Sequence, residues 1–78
     1  MDEVWVLSVN LGLRATENQI FVYRNSPDLY ELMEAIADNE PYMTFSQVKD
    51  LATHLHNDNY VSIGCHEYTI SMKAVMYG

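Results

Sequence analysis

Pro41 lies between two stretches whose apolar residues recur at helical spacing, and two short segments of period-two alternation flank that pair on either side. A proline pushes the residue before it out of helical geometry, so the first helix ends no later than about Asn39 or Glu40. In that helix Leu29, Leu32, Met33 and Ile36 fall at i, i+3, i+4 and i+7, a single buried stripe. Ser26-Pro27-Asp28 reads as its start: a hydroxyl N-cap, proline at the first helical position, and a carboxylate at the positive end of the dipole. After Pro41, Thr44 and Gln47 have the spacing of a capping box, with Met43 and Val48 placed as its hydrophobic staple. Phe45, Val48, Leu51, Ala52 and Leu55 are the expected core stripe of the second helix, which Asn57-Asp58-Asn59 ends.

The flanking segments read as strands. Val4 to Val9 is β-branched and aromatic, with Trp5, Leu7 and Val9 on one face and Val4, Val6 and Ser8 on the other. Gln19 to Tyr23 repeats the pattern after a polar loop from Gly12 to Asn18, so the two pair as a hairpin. Tyr60–Ile63 and Tyr68–Met72, joined across Gly64-Cys65-His66-Glu67, form a second hairpin. The expected fold is α+β, in the order β-β-α-α-β-β. It is a two-layer sandwich in which one face of a four-stranded antiparallel sheet carries both helices. No linker or repeat divides residues 1–78, so one small domain is expected. A chain of this size buries only about 60–65% of its unfolded surface, which makes contacts with another chain energetically relevant.

Charge narrows the functional classes. Four Lys and Arg stand against eleven Asp and Glu, a formal net charge of −7. Direct binding to nucleic acid phosphates needs clustered cations and is not expected. No apolar run approaches the ~18–20 residues of a membrane span, and Met1-Asp2-Glu3 is acidic where a signal peptide is basic. A single cysteine, Cys65, excludes an intrachain disulfide and fits a reducing, cytoplasmic location.

Catalytic and metal chemistry find little footing. His54 and His56 fall about 160° apart on a helix and do not converge on one ion. Cys65 and His66 are adjacent and are expected to point apart, as an exposed histidine and a small apolar thiol. No third group or oxyanion site is signalled beside them. Gly12, Gly64 and Gly78 stand singly, so no phosphate-cradling loop exists. No catalytic, cofactor-binding or metal-ligating residue is therefore assigned, and a small enzyme or metal protein ranks third among the functional readings.

Two features stand above this background. Between Arg24 and Lys49 there is no basic residue, yet Asp28, Glu31, Glu34, Asp38 and Glu40 all lie there. Soluble helices usually alternate signs, because like charges at i,i+4 repel. On a wheel at about 100° per residue with Asp28 at zero, Glu31, Glu34 and Asp38 occupy about 240–300°, opposite the apolar arc at about 40–140°. The leading expectation is a non-catalytic acidic module that docks through these five acids on a basic surface of a larger protein. By analogy of size and charge, a phage-type inhibitor that mimics nucleic acid in the groove of a host enzyme or defence system, in the host cytoplasm, has this format. The second feature is the uncovered sheet face. Val4 and Val6 point there, and with Met76 and Tyr77 they form an apolar patch suited to a homodimer, the reading of the chain as an accessory or structural subunit.

Overall fold

The computed structural model describes residues 2–12 and 18–75. Its elements run β1 (Asp2–Asn10), β2 (Gln19–Tyr23), α1 (Leu29–Asn39), α2 (Phe45–Asp58), β3 (Tyr60–Ile63) and β4 (His66–Val75). The sheet is four-stranded and antiparallel throughout, in the order β2-β1-β4-β3. The expected α+β class and the β-β-α-α-β-β order are thus realised. The two hairpins are joined through their long strands, with Asp2 opposite Val75 and Asn10 opposite Glu67. The segment 13–17 and the tail residues Met76 and Tyr77 lie outside the described residues.

Alternation decides the layers. Leu7 and Val9 of β1, Val61 and Ile63 of β3, and Tyr68 and Ile70 of β4 are buried against the helices. Phe21 and Tyr23 of β2 pack on the same cluster, as does Trp5. The helices contribute Leu32, Met33, Ala35 and Ile36 from α1 and Val48, Ala52 and Leu55 from α2. The intervening strand positions, including Val4, Val6, Ile20 and Val22, belong to the face that carries no helix.

Local detail departs from expectation at four places. The N-cap of α1 is Asp28, not Ser26, and Pro27 lies buried just outside the helix. Asp28 accepts from the Glu31 N–H at 2.8 Å, while Glu31 accepts from the Asp28 N–H at 3.1 Å. This reciprocal box satisfies two backbone donors where a Ser26 cap satisfies one, and so it sets the start. In α2 the expected Thr44–Gln47 box is present, and Asn59 closes the helix in the left-handed conformation. Phe45, expected in the core stripe, is 72% exposed: as the first residue of α2 it borders an open cleft with Met33, Ala37 and Met43 instead of the core. The second hairpin is tighter than four connecting residues: Ile63 pairs with His66, leaving Gly64-Cys65 as a two-residue turn. Gly64 at φ +60° supplies the positive φ that such a turn requires at its first position. His66, expected to be exposed, is half-buried as the first residue of β4.

Candidate functional site

The acids of the first helix divide into two groups. Asp28, Glu31, Glu34 and Asp38 are exposed, and none forms an ion pair among the described residues. Asp28 and Glu31 have a structural duty as the capping box, which leaves Glu34 and Asp38 without one. Glu31, Glu34 and Asp38 border a cleft of about 230 Å³ between α1 and β2, whose remaining lining is Phe21, Tyr23 and Ala35. Asn39 ties the far end of α1 to β2, its side-chain N–H donating to Gln19 Oε1 at 2.9 Å. A row of carboxylates therefore runs along one wall, with two aromatic rings on the other. Partial burial, then the charges of Glu31 and Glu34, push the Tyr23 hydroxyl above its ordinary pKa, so this phenol stays protonated and available as a donor.

On its other side the α1 ridge borders an apolar cleft of about 290 Å³ formed by Met33, Ala37, Met43, Phe45 and Val48, with Glu34 at its rim. Tyr30 and Tyr42 are also strongly exposed, at 76% and 72%. Glu34 is thus common to both clefts. Aromatic and methionine side chains are enriched at protein–protein interfaces, whereas Glu and Asp are depleted from their cores, so the carboxylates would stand at the rim of any contact made here.

Glu40 does not belong to this surface. It forms the C-cap of α1, its N–H donating to the Ile36 carbonyl at 2.8 Å, and its side chain is 1% exposed. Its carboxylate accepts from the Tyr42 hydroxyl at 2.5 Å and from the Tyr68 hydroxyl at 3.0 Å, and it meets His66 Nδ1 at 2.6 Å. Burial by itself pushes this carboxyl up, but the hydrogen bonds from Tyr42, His66 and Tyr68, with the charge of His66, hold it below its ordinary value. Tyr68 is wholly buried, and its hydroxyl is raised first by burial and then by its bond to Glu40. Glu40 therefore fastens the α1–α2 turn to the start of β4. The sequence expectation that it joins the docking acids is corrected by this burial.

The other candidate groups remain apart. Cys65 is an exposed free thiol at the β3–β4 turn, beside Gly12. Among the described residues, no group of three or more His, Cys, Asp or Glu side chains is placed to hold a metal ion. Among them, too, no helix is long and apolar enough to cross a membrane. On the face without helices Val6 sits opposite Val22 in the β1–β2 register, with Val4 two residues along β1. Val4 and Val6 are half-buried, whereas Ile20 and Val22 are each 63% exposed. No family model matches the chain, and no curated protein or solved structure is significantly similar to it.

Proposed function

We propose that this chain is a non-catalytic protein-binding module whose α1 ridge docks on a basic surface of a larger protein, as an inhibitor or adaptor. The observation that carries this reading is the placement of Glu31, Glu34 and Asp38 along one cleft with Phe21 and Tyr23 opposite. Carboxylates draw a partner's Lys and Arg side chains, and aromatic faces hold the same cations by cation–π contact. Asp28 extends the row at its N-terminal end, although its cap bond to Glu31 keeps it in place. The acids rise ~1.5 Å per residue, so Glu31 to Asp38 spans ~10 Å. That is sparser than the charge of duplex DNA, one per ~1.7 Å, and any mimicry of a nucleic acid in a partner's groove is partial.

The test is a comparison of the chain with its Glu31→Gln/Glu34→Gln/Asp38→Asn variant in capture from a native lysate at low and high salt. Gln at position 31 keeps an acceptor for the cap, so the fold is retained. Proteins held by the unaltered chain at low salt and released at high salt should be absent from the variant, and their association should slow about tenfold or more. Equal retention by the variant would reduce the ridge to a solvated helix face.

A second reading has its own support. Val4, Val6, Ile20 and Val22 share the sheet face that carries no helix, and this patch suits self-association of an accessory subunit. Its salt dependence has the opposite sign, since screening relieves the repulsion between two copies of net charge −7.

A further inference from the structure

The free edge of the sheet next to the acid-lined cleft is β2. Among the described residues β2 pairs with β1 alone and ends the sheet, so alternate N–H and C=O groups from Gln19 to Tyr23 face outward without a strand partner. Its segment Gln-Ile-Phe-Val-Tyr carries no charge and no proline, the two usual guards of an exposed edge. Instead, the guard stands above it. Phe21 and Tyr23 point toward α1, where Glu31, Glu34 and Asp38 line the cleft, while Ile20 and Val22 point to the opposite, open face.

We infer that β2 accepts an extended segment of the partner as a fifth strand, with basic residues at alternate positions facing α1 and aliphatic residues between them facing the side of Ile20 and Val22. The inference rests on the reading of the α1 ridge as a docking surface and adds how the partner engages it. Alternate residues of a strand lie ~6.8 Å apart on one face, so two Lys or Arg at i and i+2 match a carboxylate row of ~10 Å within the reach of their long side chains. Charge selects the occupant. A second copy pairing β2 with β2 would bring two α1 acid rows together across the seam, and like charges on neighbouring elements are unfavourable. The opposite edge differs: there the Tyr60 hydroxyl of β3 donates to Glu67 of β4 at 3.3 Å.

The experiment uses three synthetic nine-residue probes with the full chain: a peptide alternating arginine and valine, its counterpart N-methylated at every backbone amide, and a peptide of the same composition with the arginines in one block. The alternating peptide should bind, shift the β2 and α1 amide resonances, and protect outward β2 amides from hydrogen exchange. The N-methylated and block peptides should bind at least tenfold more weakly. Equal binding of all three, lost in the Glu31→Gln/Glu34→Gln/Asp38→Asn variant, overturns strand addition while leaving the acidic docking reading intact. Unchanged binding of the alternating peptide to that variant overturns the acidic reading itself, and with it the charge selection. Failure of the alternating peptide to bind, or protection of β2 amides that grows with concentration of the chain alone, also overturns the inference, the latter by placing a second copy on the edge.

Discussion

At the scale of single residues, Glu40 has the clearest physical consequence. A carboxylate taken out of water is costly unless its lone pairs are met, and here three side chains meet them from two separate parts of the chain. Its pKa lies below the ordinary 4.5, so the charged form is favoured by folding. A carboxyl whose pKa is depressed on folding contributes stability above its unfolded value, and that contribution is lost as pH falls toward the folded value. The thermal midpoint of the chain should therefore drop on acidification through and below pH 4.5, and in a Glu40→Gln variant this arm of the profile should flatten. Glu40→Ala should cost about 2–3 kcal/mol at neutral pH, because the buried Tyr68 hydroxyl loses its acceptor. Thermal melts across a pH series check the first, and urea denaturation at neutral pH checks the second. On the alkaline side Tyr68 acts in the other sense: its raised pKa supports the fold below its ordinary value of 10.0 and ceases to as pH rises toward the folded value. None of this was legible in the sequence. Glu40 reads there as one more acid on an acidic helix, and its partners His66 and Tyr68 lie 26 and 28 residues away.

At the scale of elements, the local signals that prevailed were those satisfying the most backbone donors. Thr44 and Gln47 were readable as a capping box because both partners lie within one turn, and Thr44→Ala should cost about 1 kcal/mol by removing the acceptor for the Gln47 N–H. A thermal midpoint unchanged by that substitution would mean that the cap bears no strain of the helix start. Asp28 and Glu31 carry the same spacing, but Ser26-Pro27 offers a competing start two residues earlier, and spacing alone does not rank the two. Phe45 shows the limit of periodicity. It shares a helical face with Val48, Ala52 and Leu55, yet a wheel does not show that the first turn of this face borders an open cleft instead of the core. At 72% exposure its replacement by Ser should change stability by less than about 0.5 kcal/mol, against the ~3–5 kcal/mol that a core phenylalanine commands. If the ridge is the docking surface, Phe45→Ser should nonetheless weaken partner capture, since an exposed ring beside Glu34 has more to gain in a complex than in the free chain.

At the scale of the whole molecule, each hairpin was visible from alternation, but the order of the hairpins in the sheet was not, because nothing local tells β1 to pair with β4 across more than fifty residues. That pairing puts β1 and β4 in the centre and leaves β2 as an edge, so the uncovered face gathers Val4, Val6, Ile20 and Val22 toward one side. Their combined exposed area is on the order of 300 Å², the size of the largest apolar patch on an ordinary monomer. Any association of copies through a patch of this size should be weak, at high micromolar concentration. Two bodies of net charge −7 also repel, and that repulsion reaches ~30 Å at 0.01 M salt but only ~3 Å at 1 M. Self-association through this face should therefore strengthen as salt is added, while docking of α1 on a basic partner weakens over the same range. Sedimentation of the chain across a salt series separates the two, and Val22→Lys, at a position already 63% exposed, should abolish the dimer without lowering the thermal midpoint appreciably. A monomer at every concentration and salt would remove the open face as an interface between copies, and the proposal of docking through the α1 ridge and the β2 edge would then rest on the salt dependence of partner capture alone.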